Sequence, residues 1–153
     1  MTNASASPAR VLDPARLLYA EDCESNVMLF ELYLKHTPFV LEAAENGLQA
    51  LEKFRDGDFD LVIMDFQMPV MGGGEAIRAI RRLEAETGRE RIPIVALTAY
   101  PSKKNEAEAV EAGCDLFLTK PLRKVQLIEL IQELGAVRRK ARLAGGQAAR
   151  TAE

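Results

Sequence analysis

Six polar side chains stand at the ends of apolar runs in this sequence, and their chemistries are complementary. Leu17-Leu18-Tyr19-Ala20 leads into Glu21 and Asp22, Leu61-Val62-Ile63-Met64 into Asp65, Ile94-Val95-Ala96-Leu97 into Thr98, and Leu116-Phe117-Leu118 into Thr119, Lys120 and Pro121. A run such as Leu61 to Met64 favours burial, and an ionised carboxylate resists it. The conflict is resolved if the runs are strands whose carboxyl ends share one rim. Three carboxylates gathered there repel one another, and one stays protonated unless a cation enters. Donors that are all oxygen suit a hard cation, Mg2+ first. A lysine and Mg2+ beside a carboxylate would also receive a phosphoryl group, whose transfer needs positioning and charge neutralisation more than covalent help. Asp65 would be the nucleophile and would form an acyl phosphate. Singly, each residue has an ordinary reading: a turn former, a β-former, a loop Lys-Pro. Their coincidence at successive strand ends points to chemistry.

Such a rim requires strands that alternate with helices. Beyond the four runs above, Phe39-Val40-Leu41 reads as the remaining strand, second in chain order. Ser25 or Asn26 is expected to cap a first helix running to about Lys35, with VMLFELYL apolar on nearly every face. A second helix follows the Asn46-Gly47 turn and ends at Asp56-Gly57. The third, from about Gly74 to Thr87, carries Ile77, Ile80 and Leu83 and stops at Gly88. A fourth from Lys103 to Ala112 is capped by Ser102 and terminated by Gly113, and a fifth from about Arg123 turns Leu127, Ile128, Ile131 and Leu134 inward. Strand–helix alternation, without polar alternation inside the strands, predicts an α/β fold: a parallel sheet covered on both faces. Its crossovers are right-handed and its ligands bind at the carboxyl ends of the strands.

At 153 residues the chain holds about one domain. It is expected over 15–135, after a loose tail at 1–14 and before a basic, then Gly/Ala-rich extension at 136–153. A net charge of -3 argues against nucleic acid as the partner. No apolar run approaches the ~20 residues that span a bilayer, and MTNASASPAR is not built like a signal peptide. A cytoplasmic protein with no membrane partner is expected. Cys23 and Cys114 lack metal or CxxC spacing and read as free thiols. His36 lies before Thr37-Pro38 and reads as a surface residue rather than a phosphodonor.

The stretches YAEDCESN, DFQMPVMGG, LTAY and FLTKP resemble the motifs of response-regulator receiver domains of two-component signalling, each at the corresponding strand end. The resemblance runs from about Leu17 to Leu134. It implies a doubly wound, flavodoxin-like sheet of order 2-1-3-4-5 with five helices. It implies that Asp65 is the phosphoacceptor and that Glu21 and Asp22 hold Mg2+ together with Asp65 and the backbone carbonyl of Gln67. Lys120 would contact the phosphoryl group, with a cis bond before Pro121. Thr98 would bond the phosphate and Phe117 would be the aromatic switch. Gln67 and Tyr100 would flank the phosphoryl group and govern access of water. The implied donors are a histidine kinase or a histidine phosphotransfer protein. The implied output is a protein effector, with a monomer or a phosphorylation-dependent dimer.

The resemblance is also informative where it departs. The acidic pair is Glu-Asp, Phe117 lacks a tyrosine hydroxyl, and the loop after Asp65 runs Gly72-Gly73-Gly74, which reads as a permissive helix entry. Only about 18 residues follow the fifth helix, so a stand-alone receiver without a fused DNA-binding output is expected, with Arg138, Arg139, Lys140 and Arg142 as a solvated extension. The stretch RRLEAETGRERIPIVALTAY is similar to receivers of hybrid histidine kinases and favours a place in a phosphorelay. The rival reading is a Mg2+-dependent phosphatase with an aspartate nucleophile. It would need a second Asp two residues on, where Gln67 stands. A nucleotide-binding fold fails at Ile77, where the last glycine of GxGxxG would fall.

Overall fold

Every second residue of the central strands faces the same layer of helices, and this parity organises the molecule. The strands are β1 (Ala15–Ala20), β2 (Phe39–Ala44), β3 (Leu61–Asp65), β4 (Ile94–Thr98) and β5 (Leu116–Thr119). They form one parallel sheet of order β2-β1-β3-β4-β5 in the computed structural model, which describes residues 12–135. Helices α1 (Glu24–Leu34), α2 (Gly47–Asp56), α3 (Gly73–Thr87) and α4 (Lys103–Ala112) alternate with them, and the chain is helical again over 124–135, here α5. Residues 1–11 of the expected tail and the whole 136–153 extension, with its arginines, lie outside the described residues.

Leu18, Ala20, Val62, Met64, Ile94 and Ala96 point to one side and pack with Ala50, Phe54, Ile77, Ile80, Ala109 and Ala112 of α2, α3 and α4. Their neighbours Leu17, Tyr19, Leu61, Ile63, Val95 and Leu97 point to the other and pack with Phe30 and Leu34 of α1 and with Leu127 and Ile131 of α5. The sheet is thus buried on both faces, which is why its central strands carry no polar alternation. No helix among the described residues is long and apolar enough to cross a membrane.

Local signals end most elements where expected. Asn46 Oδ1 accepts from Gln49 N–H to cap α2, and Ser102 Oγ accepts from Asn105 N–H to cap α4. Gly88 and Gly113 close α3 and α4 in the left-handed region, at φ 71° and 115°.

One expectation for α1 fails. Neither Ser25 nor Asn26 is its cap: the N-cap is Cys23, without a side-chain bond, because the Asn26 amide is drawn to a buried carboxylate instead. Its middle, apolar on nearly every face, is buried on one side only: Phe30 and Leu34 are inside, while Met28 and Leu32 are 66% and 64% exposed. The triple glycine is also more specific than a permissive entry. A Cβ on Gly73 would lie 2.5 Å from the Asp65 carbonyl oxygen and 2.8 Å from Phe66 Cα, whereas Gly72 and Gly74 have room. Gly73 therefore lets α3 start directly against the end of β3.

Candidate functional site

The parallel sheet brings the ends of β1, β3, β4 and β5 together, and with them the polar residues singled out above. Glu21, Asp22 and Asp65 each offer a carboxylate oxygen, and these oxygens all lie within 4.8 Å of one another. Glu21 and Asp65 are buried and Asp22 is exposed. Lys120 Nζ reaches in from the end of β5, 2.7 Å from Glu21 Oε1 and 3.2 Å from Asp65 Oδ2. Its backbone N–H donates to the Thr98 carbonyl at 2.8 Å, which fixes the root of the side chain. The Lys120–Pro121 peptide bond is cis.

Two residues that the sequence reading passed over complete the acidic cluster. Glu21 Oε1 accepts hydrogen bonds from the Tyr19 hydroxyl at 3.1 Å and from Asn26 Nδ2 at 2.9 Å, besides Lys120. Tyr19 is itself fixed by stacking on Phe30, with ring centroids 4.2 Å apart. The signal for Tyr19 was available: it stands two residues before Glu21, which directly follows β1, and so is expected on the same side of the sheet. Asn26 was noticed only as a helix cap.

Electrostatics separate the two buried acids. Burial, then the hydrogen bond and charge of Glu21, raise the pKa of Asp65 to about 7, against the opposing pull of Lys120. Burial acts to raise Glu21 as well, but bonds from Asp65, Lys120 and Asn26 overcome it and hold Glu21 at about 2. Below about pH 7 the pair therefore holds one proton between its two carboxylates, as expected of crowded acids without a cation. For Lys120 burial works against the charged form, yet its bonds to Glu21 and Asp65 prevail and raise its pKa. The donor set fits a hard divalent cation: it is all oxygen, net negative and convergent. Because Glu21 Oε1 already accepts three bonds, its other oxygen is the one left for a ligand.

The remaining positions lie around this centre. Thr98 is fully buried; its hydroxyl donates to Gln67 Oε1 at 2.9 Å and accepts from Tyr100 N–H at 3.0 Å. Gln67 N–H donates to Asp65 Oδ1 at 3.3 Å. The Tyr100 ring is 72% exposed. Phe117 is half-buried against the α2–α4 layer and meets Phe66 edge-to-face at 6.1 Å.

Residues 17–132 match the family of response regulator receiver domains. The chain belongs to that family. Among relatives of this receiver domain, the sensor protein GacS of Pseudomonas syringae is 37% identical over 116 residues, which are 76% of this chain and 13% of that protein. The chain thus spans about an eighth of that relative's length. The receiver domain of Ssk1 from Saccharomyces cerevisiae, solved with the histidine phosphotransfer protein Ypd1, superposes with a TM-score of 0.77 at 31% identity, over 84% of this chain and 94% of that one. The receiver domain of the sensor histidine kinase PA1611 from Pseudomonas aeruginosa, solved with magnesium in its active-site cleft, gives 0.71 at 26% identity, over 81% of this chain and 99% of that one.

Proposed function

We propose that this receiver domain accepts a phosphoryl group on Asp65 from a phosphohistidine of a kinase or phosphotransfer protein, and that the modified domain either relays the group or binds a protein effector. The observation that carries the reading is Lys120 Nζ, which bridges Glu21 Oε1 and Asp65 Oδ2 inside the carboxylate cluster. An ammonium in that place neutralises charge where a phosphoryl group would arrive. An Asp65 oxygen forms the new bond to phosphorus as the P–N bond of the donor breaks, and the imidazole leaves with its electron pair. Glu21, Asp22, Asp65 and the Gln67 carbonyl would hold Mg2+, which supplies neutralisation of the phosphoryl oxygens. Thr98 would then bond the acyl phosphate, Phe117 would turn inward, and the surface of α4, β5 and α5 would change for a reader.

Two features support a macromolecular donor. Met28, Leu29 and Leu32 form an exposed apolar strip on α1. Leu29 also borders a recess with Lys120, Pro121 and Leu122, so the strip adjoins the rim. A relative's receiver domain is known in complex with a histidine phosphotransfer protein. The phosphatase alternative finds no support: an amide is no general acid, and the Gln67 side-chain oxygen is already engaged by Thr98.

Incubation with a phosphorylated histidine phosphotransfer protein and Mg2+ should label the wild type with an alkali-labile phosphate and leave Asp65→Asn unlabelled. Equal labelling of the variant would overturn the assignment.

A further inference from the structure

Gln67 has two attachments that serve different partners. Its backbone N–H donates to Asp65 Oδ1, while its side-chain Oε1 accepts the Thr98 hydroxyl at 2.9 Å. A hydroxyl has a single proton to give. Thr98 Oγ1 also accepts the Tyr100 N–H at 3.0 Å, so its proton is committed to Gln67. A phosphoryl oxygen on Asp65 can bond the Thr98 hydroxyl only by taking that proton from Gln67. The two bonds exclude each other.

The connection extends beyond Thr98. Asn105 Nδ2 donates to the Tyr100 carbonyl at 2.8 Å, and Asn105 N–H donates to Ser102 Oγ, the cap of α4, at 3.0 Å. A polar chain thus runs from Gln67 through Thr98 and Tyr100 to the first turn of α4.

We propose that Gln67 is a latch on Thr98: its side-chain carbonyl holds the threonine hydroxyl in the unphosphorylated domain, is displaced by the phosphoryl group, and so sets how readily the domain switches. This rests on the reading of Asp65 as the phosphoacceptor. Gln67 acts here through Thr98 and is a positioning residue. Its backbone carbonyl, assigned above to the cation, is retained in any side-chain variant.

The test is a double-mutant cycle on the full chain with Mg2+ and beryllofluoride, an analogue of the phosphoryl group, read by titration calorimetry. Gln67→Leu keeps the bulk and removes the acceptor. It should tighten beryllofluoride binding about three- to tenfold, the net worth of one neutral hydrogen bond. In a Thr98→Val background the same substitution should change nothing. An equal effect in both backgrounds would mean that Gln67 controls access to Asp65 directly, and would overturn the latch, as would unchanged or weaker binding in the Thr98 background. Amide resonances of Tyr100 and Asn105 give a second readout. In ligand-free Gln67→Leu they should move toward their positions in the beryllofluoride-bound wild type, and a lack of movement overturns the proposal. Failure of the wild type itself to bind beryllofluoride would overturn the acceptor reading and the latch with it. Binding by wild type without a Gln67→Leu effect overturns the latch alone.

Discussion

At the scale of residues, the site is a problem of one proton among crowded carboxylates. The sign of its pH dependence follows from the two shifts. Glu21 is lowered from 4.5 to about 2, so its stabilising contribution is complete above about pH 5. Asp65 is raised from 3.8 to about 7, so the folded chain holds an extra proton that the unfolded chain has lost. Stability from Asp65 is full below its unfolded value and declines as pH rises toward 7. The metal-free protein should therefore lose stability between pH 5 and 7, with a slope of at most about 1.4 kcal/mol per pH unit. Asp65→Asn should flatten that slope and be the more stable protein at pH 8. Urea midpoints of the two proteins in chelator across this range decide it, and parallel curves would show that Asp65 carries no such proton. The acid cluster itself was legible in the sequence, because burial and charge conflict visibly at Asp65. The grip of Asn26 on Glu21 was not, because an amide in a first helical turn can cap the helix or turn away, and only tertiary packing chooses. Thr98 likewise announced a hydroxyl at a strand end but not the acceptor it had chosen.

At the scale of elements, apolar patterning located every strand, came within one residue of the ends of β3, β4 and β5, and fell further short for two. β1 begins at Ala15 and β2 continues to Ala44, beyond the apolar runs. The added positions bring the side chains of Arg16 and Glu42 together diagonally across the strands, with a guanidinium–carboxylate contact of 3.6 Å, and hydrophobic periodicity does not register such contacts. A comparable invisible device secures the opposite end of β4 and β5. The Arg81 guanidinium, on α3, donates to the Gly113 and Ile92 carbonyls at 2.9 and 2.7 Å and to Glu84 and Asp115 at 2.8 and 2.9 Å. Arg91 shares Asp115 at 3.0 Å but is mostly exposed. Arg81→Met should cost about 3–5 kcal/mol in urea unfolding, because it leaves the buried Glu84 without its counter-ion. Arg91→Met should cost under about 1 kcal/mol. Similar losses for both would mean that Arg81 does not brace this end of the sheet. Gly73 makes the complementary point: the sequence displayed three adjacent glycines, and only contact with the end of β3 distinguishes the one that must be glycine.

At the scale of the whole molecule, the strand–helix alternation fixed the fold class, while the strand order came from family resemblance and is the order observed. Periodicity cannot order strands, since each crossover has the same local signature. Nor does it say which apolar residues of α1 are covered, and they outnumber the positions the sheet can cover. If the surplus is a docking strip, Met28→Glu and Leu32→Glu should lower the rate of phosphorylation by a histidine phosphotransfer protein, relative to that by acetyl phosphate, by about tenfold or more, as for a central interface anchor. An unchanged ratio would remove α1 from the docking surface.

The two-sided sheet carries a last consequence. The α1 strip belongs to the layer that contains Phe30, Leu34 and Leu127, whereas Phe117 packs into the layer of α2, α3 and α4. A donor seated on α1 would load Asp65 from one layer and Phe117 would report on it from the other, while the reader's surface of α4, β5 and α5 straddles the two layers where the sheet ends at β5. The group would be written at the centre of the sheet and read at its β5 edge, as a key turned in the middle of a door is felt at the bolt.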